Sequence, residues 1–92
     1  MLLGSKSHTA GDTRRWEIDY SRWLDNTVDI ESVDVTSSST TCTVQSNEIL
    51  GDTVIFFLTG GTVGETLTVT LAMQDTAGNT KTDTLSFHVI SP

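Results

Sequence analysis

TLTVTLAM, Thr66 to Met73, is the stretch on which the fold turns. Leu67, Val69, Leu71 and Met73 alternate with Thr66, Thr68, Thr70 and Ala72, so one face is apolar and the other mostly hydroxylated. A period of two is the side-chain spacing of a strand with one buried face. A second run repeats it, with Leu85, Phe87 and Val89 inward and Thr80, Thr82, Thr84, Ser86 and His88 outward. Residues opposite one another in an antiparallel pair share a face, and the inward residues of both runs are odd-numbered. The loop between them therefore holds an odd number of residues. Thr76-Ala77-Gly78, with Gly78 left-handed as a bulge residue, sets Val69 opposite Leu85 and Leu67 opposite Phe87. Ala77-Gly78-Asn79 sets Asp75 opposite Lys81 instead, and parity leaves both registers open.

Further strands follow outward from this hairpin. Trp16, Ile18 and Tyr20 share one face of an early strand that the run from Ser21 to Asp25 breaks. From Val28 to Val35 the apolar residues change phase, Val28 and Ile30 being even and Val33 and Val35 odd. One extra residue near Glu31-Ser32, a β-bulge, restores a common inward face. Ser37-Ser38-Ser39 reads as a turn, and Cys42 and Val44 mark a short third strand ending at a turn at Ser46-Asn47. Val54-Ile55-Phe56-Phe57-Leu58 is apolar on both faces, so it is either a central strand covered on both sides or an outer strand whose second face, Ile55 and Phe57, meets a partner chain. Gly60-Gly61 and Gly64 make a tight connection. The expected core is Ile18, Val28, Ile30, Val54, Phe56, Leu58, Leu67, Val69, Leu71, Leu85, Phe87 and Val89.

Composition agrees. Thr occurs 17 times and Ser 10 times against three Ala in 92 residues, which favours pleated strands over helix. A chain this short buries one small core, leaving roughly 5,200 of about 14,500 Å² exposed and little room for a catalytic cleft. The fold class expected is all-β: an immunoglobulin-like β-sandwich of about seven antiparallel strands, residues 14–92, preceded by an irregular, flexible N-terminal arm, residues 1–13. Leu2 and Leu3 are the arm's candidate anchors.

The net charge is −7, which repels phosphate backbones and anionic membranes alike. No nucleic acid and no membrane are expected as partners. Residues 1–24 hold four cations against three acids, whereas residues 25–92 hold Lys81 against nine acids. Cys42 can form no internal disulfide and has no companion ligands for zinc. No apolar run is long enough to span a bilayer, and Met1-Leu2-Leu3 gives way at once to Gly4 and Lys6, so no signal peptide is expected. His8 and His88 read as surface histidines, and Asp29 and Glu31, with Asp25 and Asp34 nearby, as a solvated acidic face blunting an edge strand. Catalytic, cofactor-binding and metal-binding residues: none are expected. Trp16, Tyr20 and Trp23 fall within nine residues, either plugging one end of the sandwich or anchoring an interface. Trp and Arg are typical anchors, so the candidate partner-binding residues are Arg14, Arg15, Trp16, Arg22 and Trp23 with Ile55 or Phe57.

Two resemblances extend this reading. Leu71 to Thr80, LAMQDTAGNT, with the strand after it, resembles the last hairpin of bacterial immunoglobulin-like modules. Ile18-Asp19-Tyr20-Ser21, then Leu24, then Gly60-Gly61-Thr62-Val63-Gly64-Glu65-Thr66-Leu67-Thr68-Val69-Thr70 are similar in order and spacing to small tailed-phage virion proteins described as fibre-tail adaptors. The likeness spans about residues 16–90. This chain has Tyr20 where that family usually has Trp, Trp23 near the usual position of a basic residue, and a basic Arg14-Arg15 entry. The resemblance implies a non-enzymatic structural protein of a tailed bacteriophage virion, assembled in the host cytoplasm. It would dock in multiple symmetric copies at the tail or head-tail junction and bind tail, fibre, connector or capsid proteins. A capsid decoration protein is the alternative; an adhesion or carbohydrate-binding immunoglobulin-like module is the alternative of another class.

Overall fold

The computed structural model describes residues 2–24 and 28–92. Among the described residues there are seven strands: β1 (Leu2–Thr9), β2 (Thr13–Asp19), β3 (Ile30–Ser37), β4 (Cys42–Leu50), β5 (Thr53–Gly60), β6 (Thr66–Asp75) and β7 (Thr80–Ile90). They form two sheets, ordered β1-β7-β6-β3 and β2-β5-β4, and no helix occurs among the described residues. Lettered A to G in chain order, B-E-D packs on A-G-F-C. This is consistent with an immunoglobulin-like sandwich whose first strand has joined the C-F-G sheet.

The core fills the space between the sheets. Val54, Phe56 and Leu58 of β5 face Leu67, Val69 and Leu71 of β6 and Leu85, Phe87 and Val89 of β7, all buried, with Tyr20, Ile30, Val35, Cys42 and Met73 completing the cluster. Phe56 and Phe87 meet edge to face at 6.4 Å between ring centroids. Ile18 packs against this cluster only partly buried, and Val28, expected inside, lies half-buried before β3 begins. The expected bulge is present: β3 slips register against β6 between Ile30 and Ser32.

The β6–β7 hairpin takes the first of the two registers, with Val69 opposite Leu85 and Leu67 opposite Phe87. Gly78 has a φ of 88°, the left-handed conformation that a three-residue loop requires. The Asp75 carboxylate accepts from the Ala77 and Asn79 N–H groups and from Asn79 Nδ2. That local network outweighs an Asp75–Lys81 pairing.

Two expectations are corrected. No turn occurs at Ser46-Asn47; a second bulge, between Val44 and Ser46, carries β4 on to Leu50, and the chain reverses at Gly51-Asp52. Nor are residues 2–9 an irregular arm, because β1 pairs in parallel with β7 from Leu2↔Thr84 to Thr9↔Ile90. Not every strand pair is therefore antiparallel. An edge strand needs few apolar side chains, since ladder bonds to one neighbour satisfy much of its backbone. Here Leu3 packs partly buried on the core, and the side chain of Leu2 lies outside the description.

Among the described side chains of β1, His8 is the one fully buried, and it is therefore not a surface histidine. Its Nε2 donates to the Gly60 carbonyl at 3.1 Å. His88 is exposed, as expected, with Nδ1 3.2 Å from the Thr66 hydroxyl.

Candidate functional site

The candidate partner residues gather on and around β2, but they face three ways. Arg14 and Trp16 lie opposite Leu58 and Phe56, on the inward parity, at the open side of the sandwich. The Trp16 ring reaches across to Phe87 in the other sheet, edge to face at 5.0 Å, and the Arg14 guanidinium lies 4.7 Å above the Trp16 centroid. Trp16 is half-buried and Arg14 exposed. Of the two sequence readings, the plug describes Trp16, with a cation on its outer face.

Arg15 and Phe57 are opposite each other on the outer face of the three-stranded sheet, and Arg15 pairs with Glu17 at 2.5 Å. Phe57 is half-buried. Ile55 is only 1% exposed although it lies outside the core cluster. It sits in register between Glu17 and Glu48 on the two neighbouring strands. The cover expected over Ile55 from a partner is thus already present within the chain.

Arg22 and Trp23 fall in the turn after β2. The Asp19 carboxylate accepts from the Ser21 N–H at 2.8 Å. That bond first, then one from the Ser21 side chain and the charge of Arg22, holds the Asp19 carboxyl below its ordinary range. The Tyr20 carbonyl accepts from the N–H groups of Trp23 and Leu24, tightening the turn.

The buried Tyr20 hydroxyl donates to Asp83 Oδ2 at 3.0 Å, and Lys81 Nζ lies 3.1 Å from Asp83 Oδ1. Burial, then the bond and charge of Asp83, pushes the Tyr20 phenol far above its ordinary value of 10.0. Trp23 stands edge to face with Tyr20 at 6.5 Å, and Lys81 is 5.8 Å from its centroid. The segment Asp19-Tyr20-Ser21 to Leu24 therefore latches the end of β2 to β7, leaving Arg22 exposed and Trp23 half-exposed. Asp25, the expected acidic neighbour, lies outside the described residues.

The glycine segment makes a second latch at the opposite end. Gly60 has a φ of 89°, and a Cβ there would lie 2.4 Å from the Thr41 carbonyl oxygen, so a side chain is excluded. Downstream, the Glu65 carboxylate accepts from the hydroxyls of Ser39 and Thr41 and from the Thr62 N–H at 2.7 Å. In that order these bonds hold Glu65 below its ordinary value. Cys42, buried beside this loop, has its thiol pushed up by burial first and by Glu65 second. Among the described residues there is no pocket and no group of three or more side chains arranged to hold a metal. No helix among them is long and apolar enough to cross a membrane.

These two latches coincide with the stretches that carry the phage resemblance. Over residues 8–88 the chain matches the family model described as podophage GP4 fiber-tail adaptor protein gp77. The chain belongs to this family. A search of curated proteins returns no match. Membership in the fibre-tail adaptor family makes the chain a structural component of a bacteriophage virion.

Sequence reasoning missed four exposed apolar residues on this adaptor: Ile49 (37%), Leu50 (66%), Val63 (55%) and Ile90 (40%). Leu50 was discoverable, since an apolar residue immediately before Gly51-Asp52 sits at a hairpin tip.

Proposed function

We propose that the protein is a non-enzymatic adaptor that docks in several copies on the tail or head-tail junction and bridges to the fibres. Membership in the adaptor family over residues 8–88 carries this reading. The docking surface is the outer face of β2 and the turn after it. Arg15 and Arg22 are exposed cations there, with the half-buried Phe57 opposite Arg15 and the half-buried Trp23 next to Arg22. Ile55, already covered, contributes by holding the sheet rather than by contact. A −7 chain meets an acidic virion surface best through this least acidic part.

The experiment is to purify particles from a phage lacking this gene. The expected result is assembled tails without bound fibres, restored by the wild-type chain and not by one carrying Arg22→Ala and Trp23→Ala. Particles that keep a full complement of fibres would remove the adaptor role.

A further inference from the structure

We propose that copies of this chain associate head to tail, the β1–β2 side of one sandwich docking on the β3–β4 side of the next. The strand orders β1-β7-β6-β3 and β2-β5-β4 put β1 and β2 at one edge of their sheets and β3 and β4 at the other. The charges divide along the same line. Strands β1 and β2 carry Lys6, Arg14 and Arg15 against Glu17 and Asp19, with Asp12 in the turn between them, so this side is neutral; β3 and β4 carry Glu31, Asp34 and Glu48 and no cation. All of these side chains are exposed.

The cations are available for the contact. Arg15 is paired with Glu17, but Lys6 and Arg14 have no ion pair among the described residues. Apolar groups match as well. The β1–β2 side offers the half-buried Trp16 ring under Arg14, and the acidic side offers Ile49 and Leu50, exposed at the end of β4. An aromatic edge that carries cations thus meets an aliphatic and acidic one. Each edge strand also has one flank without a neighbouring strand, the surface by which sheets pair with a second chain.

The net charge of −7 opposes any self-association, and distance decides which effect wins. The Cα envelope measures 43 × 21 × 19 Å, its long dimension far exceeding the other two. Copies docked side by side have centres separated by more than two Debye lengths of about 8 Å at physiological salt, where net repulsion is largely screened. Contact pairs at the edges lie well inside one Debye length. Because the two edges differ, the contact is heterologous, and repeating it yields a closed ring or an open chain rather than a two-fold dimer.

Sedimentation velocity on the purified chain tests this without any virion, so its failure is separate from failure of the adaptor role. The parent at 150 mM salt is expected to form species larger than a dimer as concentration rises through about 0.1 mM, a range suited to weak contacts. Lys6→Glu with Arg14→Glu, and separately Glu31→Lys with Glu48→Lys, should each be monomeric, and mixing them should restore association to at least a one-to-one pair because each supplies the edge that the other lacks. Thermal melts check that both remain folded, with the single changes Arg14→Glu and Glu48→Lys as replacements for a pair that does not. A parent that stays monomeric up to 1 mM overturns the proposal. So does a dimer lost with one pair of changes and untouched by the other, which would mark a two-fold contact.

Discussion

Removing one oxygen, by Tyr20→Phe, tests the latch between β2 and β7. Asp83 is fully buried, and its Oδ2 accepts from the Tyr20 hydroxyl at 3.0 Å. Phenylalanine keeps the ring and therefore its packing, so no cavity term enters. What is lost is one hydrogen bond to a buried carboxylate, a class of bond that contributes about 1.5–3 kcal/mol. Lys81 remains at 3.1 Å from the other oxygen, which places the expected cost near the middle of that span, about 2 kcal/mol. For a domain of this size that corresponds to a fall in Tm of about 10 °C. Urea melts of parent and variant at pH 7 give the difference directly. The cycle completed with Asp83→Asn separates this bond from other contacts of the carboxylate. A variant within about 0.5 kcal/mol of the parent, the range of an ordinary surface change, would show that the hydroxyl does not support Asp83.

Phe87→Ala should cost about 3–5 kcal/mol in the same melts, because Phe56 and Trp16 both pack on that ring; a melt matching the parent would contradict its central place. Gly60→Ala combines a left-handed φ with a 2.4 Å approach to the Thr41 carbonyl, so a loss of about 2 kcal/mol or more is expected, read as a lower Tm or a failure to fold. Glu65, held below its ordinary 4.5 in the folded chain, stabilises above that value and loses its contribution as pH falls through the depressed one. Glu65→Gln should therefore flatten the acid limb of a stability-against-pH curve below about pH 4.5. An acid limb as steep as the parent's would mean that Glu65 is not what the loop titrates through.

How much of this was legible in the sequence depended on whether the apolar pattern was one-sided. β6 and β7 alternate cleanly, and both their faces and one of their two allowed registers are what the structure shows. The choice between the registers lay in hydrogen bonds that alternation does not encode, those from Ala77 and Asn79 to the Asp75 carboxylate. β1 escaped notice because LLGSKSHT has no period-two apolar face and its deepest residue is a histidine held by a backbone carbonyl. β4 was shortened to a stub because a bulge at Gln45 breaks its alternation. Of the candidate contact residues, Arg15 and Arg22 lie on the surface as a partner site requires, whereas Ile55 is covered within the chain. An apolar residue on an outer face carries no sequence mark of what lies over it.

The parallel pairing of β1 with β7 also bears on when the molecule can exist. Leu2 pairs with Thr84 and Thr9 with Ile90, so β1, synthesised before β7, waits for it before it has a place to bind. Such a long-range closure is slow relative to hairpin formation. Until it happens, the flank of β7 that β1 will occupy, and the pocket that will take the His8 ring, stand open to any other extended segment in the cell. A fragment cut short in β7 would leave the matching residues of β1 without a partner strand. Synthesis of β7 is thus the event that closes this sheet.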